Sequence, residues 1–194
     1  AHFATLDRIE RLFESERLPM VLLKGAALAC SGYHDPSFRS MSDLDIWVRD
    51  EDMPRAVLGL RSLGFHQEPG LPGRPDALQR RSSGELIFRH AWGEHGLVEL
   101  HYGAFQGWWI QRAAQPDTEA VWRRRTPMGP GRHASRLAAE DAILQTGFHV
   151  VVNQFGQAPL RGLMDLAVLA RAHFIDWDVV AERARAWRLG TATW

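Results

Sequence analysis

The spacing of hydrophobic and polar residues changes several times along the chain, and the first changes fall near its N-terminus. Apolar residues recur at helical spacing from Phe3 to Arg17, and Pro19 ends that segment. The apolar run 20–23 then predicts a short buried strand. A short helix is predicted to begin directly after it, at Gly25. This order predicts a strand that leads through a tight turn into a helix.

A second strand is predicted in the segment Ser42-Asp43-Leu44-Asp45-Ile46-Trp47-Val48. Successive side chains of a strand point to opposite faces of the sheet. Leu44, Ile46 and Val48 should therefore point into a core. Asp43 and Asp45 should point together to the other face.

Further elements follow this strand. The pattern predicts a helix over 53–63 that ends at Gly64, a short strand over 65–68, and a surface loop over 69–75. Two alternating runs, 85–92 and 97–102, predict a β-hairpin around a glycine-flanked turn at Glu94 and His95. That turn would place His90 opposite Glu99 and Phe88 opposite His101. A slip of one residue would reverse the faces.

The pattern becomes helical in the last third of the chain. Residues 127–134 are rich in glycine and proline and predict a linker. Ser135 is expected to cap the first of three helices, the second covers 160–172, and Asp176 caps the third. We therefore predict an α/β (α+β) domain over 1–126, with a small mixed sheet and flanking helices, and an all-helical region over 135–194. Because the chain begins without methionine and stops within a helical pattern, we expect it to be part of a longer protein.

Composition narrows the classes of protein to consider. The formal net charge is zero, so nothing indicates a general affinity for nucleic acid or for an anionic membrane. No apolar run approaches the length needed to span a bilayer. Cys30, the single cysteine, excludes an internal disulfide and favours a reducing, cytoplasmic location. One cysteine and scattered histidines give no zinc-ligand spacing.

The paired aspartates point to metal chemistry. Two carboxylates this close repel each other unless a cation lies between them or one keeps its proton. Ligands that are all oxygen suit Mg²⁺ or Mn²⁺. Asp43 and Asp45 therefore indicate metal-dependent phosphoryl or nucleotidyl transfer, although a solvent-facing side of a sheet could also carry them.

Lys24 is the only lysine among 23 basic residues, and it directly precedes Gly25 in the predicted turn. An ammonium group is a compact charge suited to phosphate or carboxylate. Lys24 is therefore a candidate for the active site. A structural ion pair with Asp43 or Asp45 is the alternative.

These motifs together resemble a known group of enzymes. The segments Lys24-Gly25-Ala26-Ala27-Leu28, Arg39, Ser42-Asp43-Leu44-Asp45 and Val98-Glu99-Leu100-His101 are similar to an uncharacterised bacterial family of the DNA polymerase β-like nucleotidyltransferase superfamily. The resemblance covers nearly the whole chain, including the helical tail. It implies transfer of a nucleoside monophosphate from a triphosphate, with ATP expected, to a hydroxyl of a small molecule or a protein.

The resemblance also implies roles for individual residues. Asp43, Asp45 and Glu99 would bind the metal ions and form the catalytic centre. The phosphates would be bound at Lys24, at the backbone N–H groups of Gly25 and Ala26, and at Arg39 and Ser42. Ala26 departs from the superfamily, which often has serine there.

Ordinary structural roles for three of these residues stay open. Glu99 could be a cross-strand partner of His90, and Arg39 could pair with Asp35 or Asp43. His101 could be an acid–base residue or a packed strand histidine, and His149 is predicted to be a core histidine.

The rival functions are a catalytically impaired nucleotide-binding module and a partner-binding module of the toxin–antitoxin type. A nucleic-acid acceptor is not expected, because the chain has no basic stripe.

Overall fold

A computed structural model describes residues 2–69, 84–90, 96–105, 114–153 and 159–190. The predicted turn at Glu94 and His95 and most of the predicted loop 69–75 lie outside the described residues. The helices are α1 (His2–Ser15), α2 (Lys24–Ser31), α3 (Met53–Ser62), α4 (Thr118–Arg124), α5 (Ala139–Asn153), α6 (Pro159–Ala172) and α7 (Trp177–Ala186). The strands are β1 (Val21–Leu22), β2 (Asp43–Trp47), β3 (Phe65–Gln67), β4 (Glu85–His90), β5 (Leu97–His101), β6 (Thr126–Pro127) and β7 (Ser135–Arg136).

The strands form one mixed sheet in the order β3-β4-β5-β2-β1-β7-β6. Strand β2 runs parallel to β5, and β1 runs parallel to β7. The other neighbours are antiparallel. The predicted mixed α/β fold is therefore confirmed.

The sheet separates two hydrophobic clusters. Leu44 and Ile46 of β2, and Val48 just after it, are fully buried in a cluster that includes side chains of α1 and α3. Trp47, on the opposite face of β2, belongs to a second cluster that includes side chains of α4, α5 and α7. The predicted alternation along β2 is confirmed, and the helical region covers the face that carries the aspartates.

The predicted pairing of β4 with β5 is confirmed, but the predicted register is wrong. Glu99 lies opposite Ile87 rather than His90, and His101 lies opposite Glu85 rather than Phe88. A two-residue turn at Glu94 and His95 would have continued the pairing well past His90. In the described residues the pairs instead run from Glu85 with His101 to Arg89 with Leu97, a register shifted by three residues. The shift is an odd number of residues, so it moves Glu85 onto the same face as Glu99.

The segment predicted as a linker is flanked by two paired strands. Thr126–Pro127 pairs with Ser135–Arg136, and Ser135 also lies beside Val21 of β1. Ser135 is therefore a strand residue rather than a helix cap, and the helix begins at Ala139. Gly129 and Gly131 have φ of 154° and 75°, which lets the chain reverse between β6 and β7. The division into a catalytic domain and a helical region stays a prediction.

Candidate active site

The turn between β1 and α2 places Lys24 and Gly25 beside β2. The backbone N–H of Leu23 donates to the carbonyl oxygen of Asp45 at 3.0 Å, which ties the turn to that strand. Lys24 has φ of 44°, a left-handed conformation that costs free energy in a residue other than glycine. A Cβ at Gly25 would lie 3.3 Å from the Arg39 guanidinium, so glycine permits that close approach.

The carboxylates come together because β2 and β5 are parallel neighbours. Their register sets Asp45 beside Glu99, and Asp43 lies two residues earlier on the same face of β2. Asp45 is 2% exposed. One ligand atom from each of Asp45, Glu99 and His101 lies within 4.8 Å of the others.

Two donors hold the carboxylate of Asp45. The Lys24 Nζ lies 2.6 Å from Asp45 Oδ1 and 3.9 Å from Glu99 Oε2. The fully buried His101 places Nε2 at 2.8 Å from the same Asp45 oxygen. An ionised carboxylate only accepts hydrogen bonds, so His101 donates from Nε2. His101 is thus a packed strand histidine, as one of the two sequence interpretations had it, and it also orients Asp45.

The ionisable groups of the cluster shift one another. Burial alone would raise the pKa of Asp45, but the charge of Lys24 and the hydrogen bond from His101 lower it well below its usual range. Burial and the nearby Glu85 and Asp45 raise the pKa of Glu99 to about 8. Without a metal cation, Glu99 is therefore mostly protonated at neutral pH.

Burial and neighbouring charges also shift the pKa values of Asp43 and Lys24. Burial and the charge of Asp45 raise the pKa of Asp43. Burial would lower the pKa of Lys24, but Asp45 and Glu99 raise it above its ordinary value. The cluster thus has more negative charge than a single ammonium group balances.

This excess fits the divalent metal that the fold family implies. Asp43, Asp45 and Glu99 offer carboxylate oxygens on one face, and a divalent cation would remove the repulsion that keeps Glu99 protonated. The residues present are therefore suited to hold Mg²⁺ or Mn²⁺.

The cluster lies in a cavity of about 430 Å³ between the sheet and the helical region. Seven of the eight residues proposed from the sequence line it: Lys24, Gly25, Arg39, Ser42, Asp43, Asp45 and Glu99. Ala26 does not, because its side chain is fully buried in the core cluster of α1 and α3. Only the backbone of Ala26 is left to contact a phosphate.

Arg39 is held by a carboxylate that neither sequence alternative named. Its Nε and a terminal nitrogen each donate to Asp165 of α6 at 2.8 Å, and Tyr33 donates to Asp165 at 3.1 Å. Asp35 instead accepts from the backbone of Ser37. The proposed pairing of Arg39 with Asp35 or Asp43 is therefore wrong, and the ion pair joins the loop before β2 to α6.

Sequence reasoning also missed several residues that line the cavity. These are Glu85, Thr146, Arg161 and Asp165, together with His149, which was predicted to lie in the core. His149 is half-buried, and burial and the charge of Lys24 lower its pKa to about 4. The correct hairpin register would have revealed Glu85. The others depend on how α5 and α6 pack over the sheet, which no local pattern encodes.

The family comparison decides the classification. The family described as uncharacterised nucleotidyltransferase matches residues 1–194. The chain belongs to this family. The resemblance seen in the sequence motifs is therefore confirmed, and the protein is a nucleotidyltransferase.

Solved structures show that the nucleotidyltransferase shares its fold with distant proteins. ANT(2″)-Ia in complex with adenylyl-2″-tobramycin aligns with a TM-score of 0.63 at 15% identity, over 97% of each chain. The lincomycin-bound lincosamide antibiotic adenylyltransferase LnuA aligns with a TM-score of 0.56 at 16% identity, over 88% of this chain and 97% of its own. An antigenic nucleotidyltransferase-like protein from Paracoccidioides brasiliensis gives 0.57 at 14% identity, over 98% of this chain and 90% of its own.

A search of curated proteins found no match to the nucleotidyltransferase. In the described ranges of the chain, every helix is too short or too polar to span a bilayer.

Proposed function

We propose that the nucleotidyltransferase moves a nucleoside monophosphate from ATP to a hydroxyl group of a small molecule or protein, with Mg²⁺ as the metal. The observation that carries this proposal is the convergence of Asp43, Asp45 and Glu99 in one cavity, beside the turn formed by Lys24 and Gly25. Metal ions held by these carboxylates would stabilise charge on the attacking and leaving oxygens.

The residues of the chain divide the remaining work. Glu99 is ionised once the divalent metal is bound, and it then accepts the proton of the acceptor hydroxyl. His101 and Lys24 hold Asp45 in a fixed orientation. Backbone N–H groups at Gly25 and Ala26, at the start of α2, bind phosphate oxygens.

The acceptor is the least constrained part of the proposal. ANT(2″)-Ia was solved with an adenylylated tobramycin and LnuA with lincomycin, both hydroxyl-bearing small molecules. In this chain the helices α5 and α6 complete the cavity with Thr146, His149 and Arg161. A cavity of this size suits a small molecule or an exposed side chain, and the neutral net charge weighs against a nucleic acid.

Calorimetric titration of ATP and GTP, with and without Mg²⁺, tests the proposal. We expect binding that requires Mg²⁺ and is lost in the double variant Asp43→Asn/Asp45→Asn. Asp141→Asn is the control, because Asp141, like Asp45, is buried and ion-paired but lies outside the cavity. Nucleotide binding that is independent of Mg²⁺, or that is unchanged in the double variant, would refute the assignment of Asp43 and Asp45 as metal ligands.

Two observations favour an impaired enzyme as a second candidate. Ala26 offers no hydroxyl to the phosphates, and the Lys24 ammonium already neutralises Asp45. A nucleotide-binding or partner-binding module, including one of the toxin–antitoxin type, would bind ATP without turnover. Release of pyrophosphate from labelled ATP in the presence of candidate acceptors separates the two functions.

A further inference from the structure

We propose that Arg161 of helix α6 binds the terminal phosphates of the nucleotide. This assignment rests on the proposed function, because it names the residue that would recognise the triphosphate in the same cavity. Arg161 lines the cavity with Lys24 and Arg39, yet it comes from the helical region rather than from the sheet.

The other two basic residues that line the cavity in the described part of the chain, Lys24 and Arg39, are already neutralised by carboxylates. The Lys24 ammonium contacts Asp45 at 2.6 Å. Arg39 donates from Nε and Nη2 to Asp165, at 2.8 Å each, and from Nη1 to the carbonyl oxygen of Ser40, and its side chain is only 10% exposed. Neither group is free to neutralise a triphosphate unless it first leaves its carboxylate.

Arg161 differs from both in its surroundings. It is exposed, and among the described residues no carboxylate lies within ion-pair distance of its guanidinium. A guanidinium group presents two parallel N–H donors that match the oxygens of a phosphate. Arg161 is therefore the cation that can bind phosphate without breaking an existing ion pair.

The ion pair between Arg39 and Asp165 fixes where Arg161 lies. Asp165 follows Arg161 by four residues, so the two side chains share one face of α6. Asp165 is anchored to Arg39 and Tyr33 at the cavity wall. Its anchoring turns the Arg161 face of the helix toward the cavity and holds α6 in that orientation.

The charge of the cavity gives a reason for a third cation. Among the described residues, five carboxylates line it: Asp43, Asp45, Glu85, Glu99 and Asp165. Asp165 is neutralised by Arg39, but Glu85 has no assigned role in metal binding, so it would repel a polyanionic phosphate chain. Arg161 supplies the charge that offsets this repulsion on the helical side of the cavity.

The test is calorimetric binding of ATP and AMP, each with Mg²⁺, to the wild-type protein and to Arg161→Gln. We expect the Kd for ATP to rise at least about tenfold, the loss typical of one hydrogen-bonded charged contact, and the Kd for AMP to change less than about twofold. The Kd of Arg161→Lys for ATP should lie between those of wild type and Arg161→Gln, because an ammonium keeps the charge but lacks the paired N–H donors of a guanidinium. Arg171→Gln is the control, since Arg171 is exposed on the same helix and lies outside the cavity.

The outcomes separate this inference from the proposed function. Wild-type affinity for ATP in Arg161→Gln, or an equal loss for ATP and AMP, would overturn the role of Arg161. If the wild-type protein binds neither nucleotide, the proposed function fails. Inorganic tripolyphosphate is then the probe: binding that Arg161→Gln weakens tenfold supports the phosphate site, and unchanged or undetectable binding overturns it.

Discussion

Replacing Lys24 with methionine should destabilise the metal-free protein much more than the metal-bound protein. The ammonium is 2.6 Å from Asp45 Oδ1, and the two side chains are 22% and 4% exposed. Removing one partner of a buried ion pair costs about 3–5 kcal/mol. Because Lys24 is partly exposed to solvent, we expect about 2–3 kcal/mol here. For a chain of this length that free energy lowers Tm by about 4–12 °C.

Mg²⁺ should remove most of the difference in stability between Lys24→Met and the wild-type protein. The substitution leaves Asp45 and Glu99 without their ammonium, so the folded variant binds a divalent cation without a competing charge. Mg²⁺ stabilises both proteins, and a Kd about 100-fold lower in the variant would remove about 2.7 kcal/mol of the difference at saturating Mg²⁺. Thermal unfolding in EDTA and in a series of Mg²⁺ concentrations, followed by circular dichroism, measures both effects.

A second ion pair provides the matched control. Arg132 lies 2.6 Å from Glu10, the side chains are 27% and 7% exposed, and neither residue lines the cavity. Arg132→Met should lower Tm by a similar amount, and Mg²⁺ should change the difference from wild type very little. If the Tm difference between Lys24→Met and wild type is as large in Mg²⁺ as in EDTA, the Lys24 ammonium does not compete with the metal for the carboxylates, and the reasoning is refuted.

Three further predictions concern other groups of the cavity. Asp165→Asn should lower the free energy of unfolding, measured by urea denaturation, by about 2–4 kcal/mol, because Arg39 loses its carboxylate partner. The double variant Arg39→Met/Asp165→Leu should regain part of that free energy, and additive losses from the two positions would contradict the prediction. The pKa of His149 is lowered to about 4, so the free energy of unfolding should fall by up to about 3 kcal/mol as the pH drops from about 6.5 toward 4. In urea denaturation, a His149→Gln variant should depend less on pH in that range. The pKa of Glu99 is raised to about 8, so Mg²⁺ binding at pH 7 should release close to one proton, measured by calorimetry in buffers of different ionisation enthalpy, and Glu99→Gln should abolish that release.

The sequence was informative where the chemistry is local. The alternation from Asp43 to Val48 predicted which side chains enter the core, and the structure confirms it. The turn at Lys24 and Gly25 also follows from a short segment, because a buried strand ends there and a helix begins. Such features depend on backbone periodicity, which neighbouring residues determine.

The rest of the cavity depends on contacts between distant segments. Asp165 pairs with Arg39 only because α6 packs against α2 and the loop before β2, and nothing in the helical period of α6 indicates that partner. Glu85 needed the true register of β4, which the pattern of two alternating runs does not fix when the turn length is unknown. His149 sits in an apolar helix, so its period suggested a core position rather than the edge of a cavity.

The position of β1 in the sheet has a consequence for how the protein is made. Val21 pairs with Trp47 on one side and with Ser135 on the other, so its second neighbour is synthesised long after it. At about 5–20 residues per second, one edge of β1 stays open for roughly 6–25 s on the ribosome. An open apolar edge can pair with other chains. The strand that positions Lys24 therefore stays open to pairing with other chains during translation, and protection by chaperones or faster synthesis would raise the yield of folded enzyme.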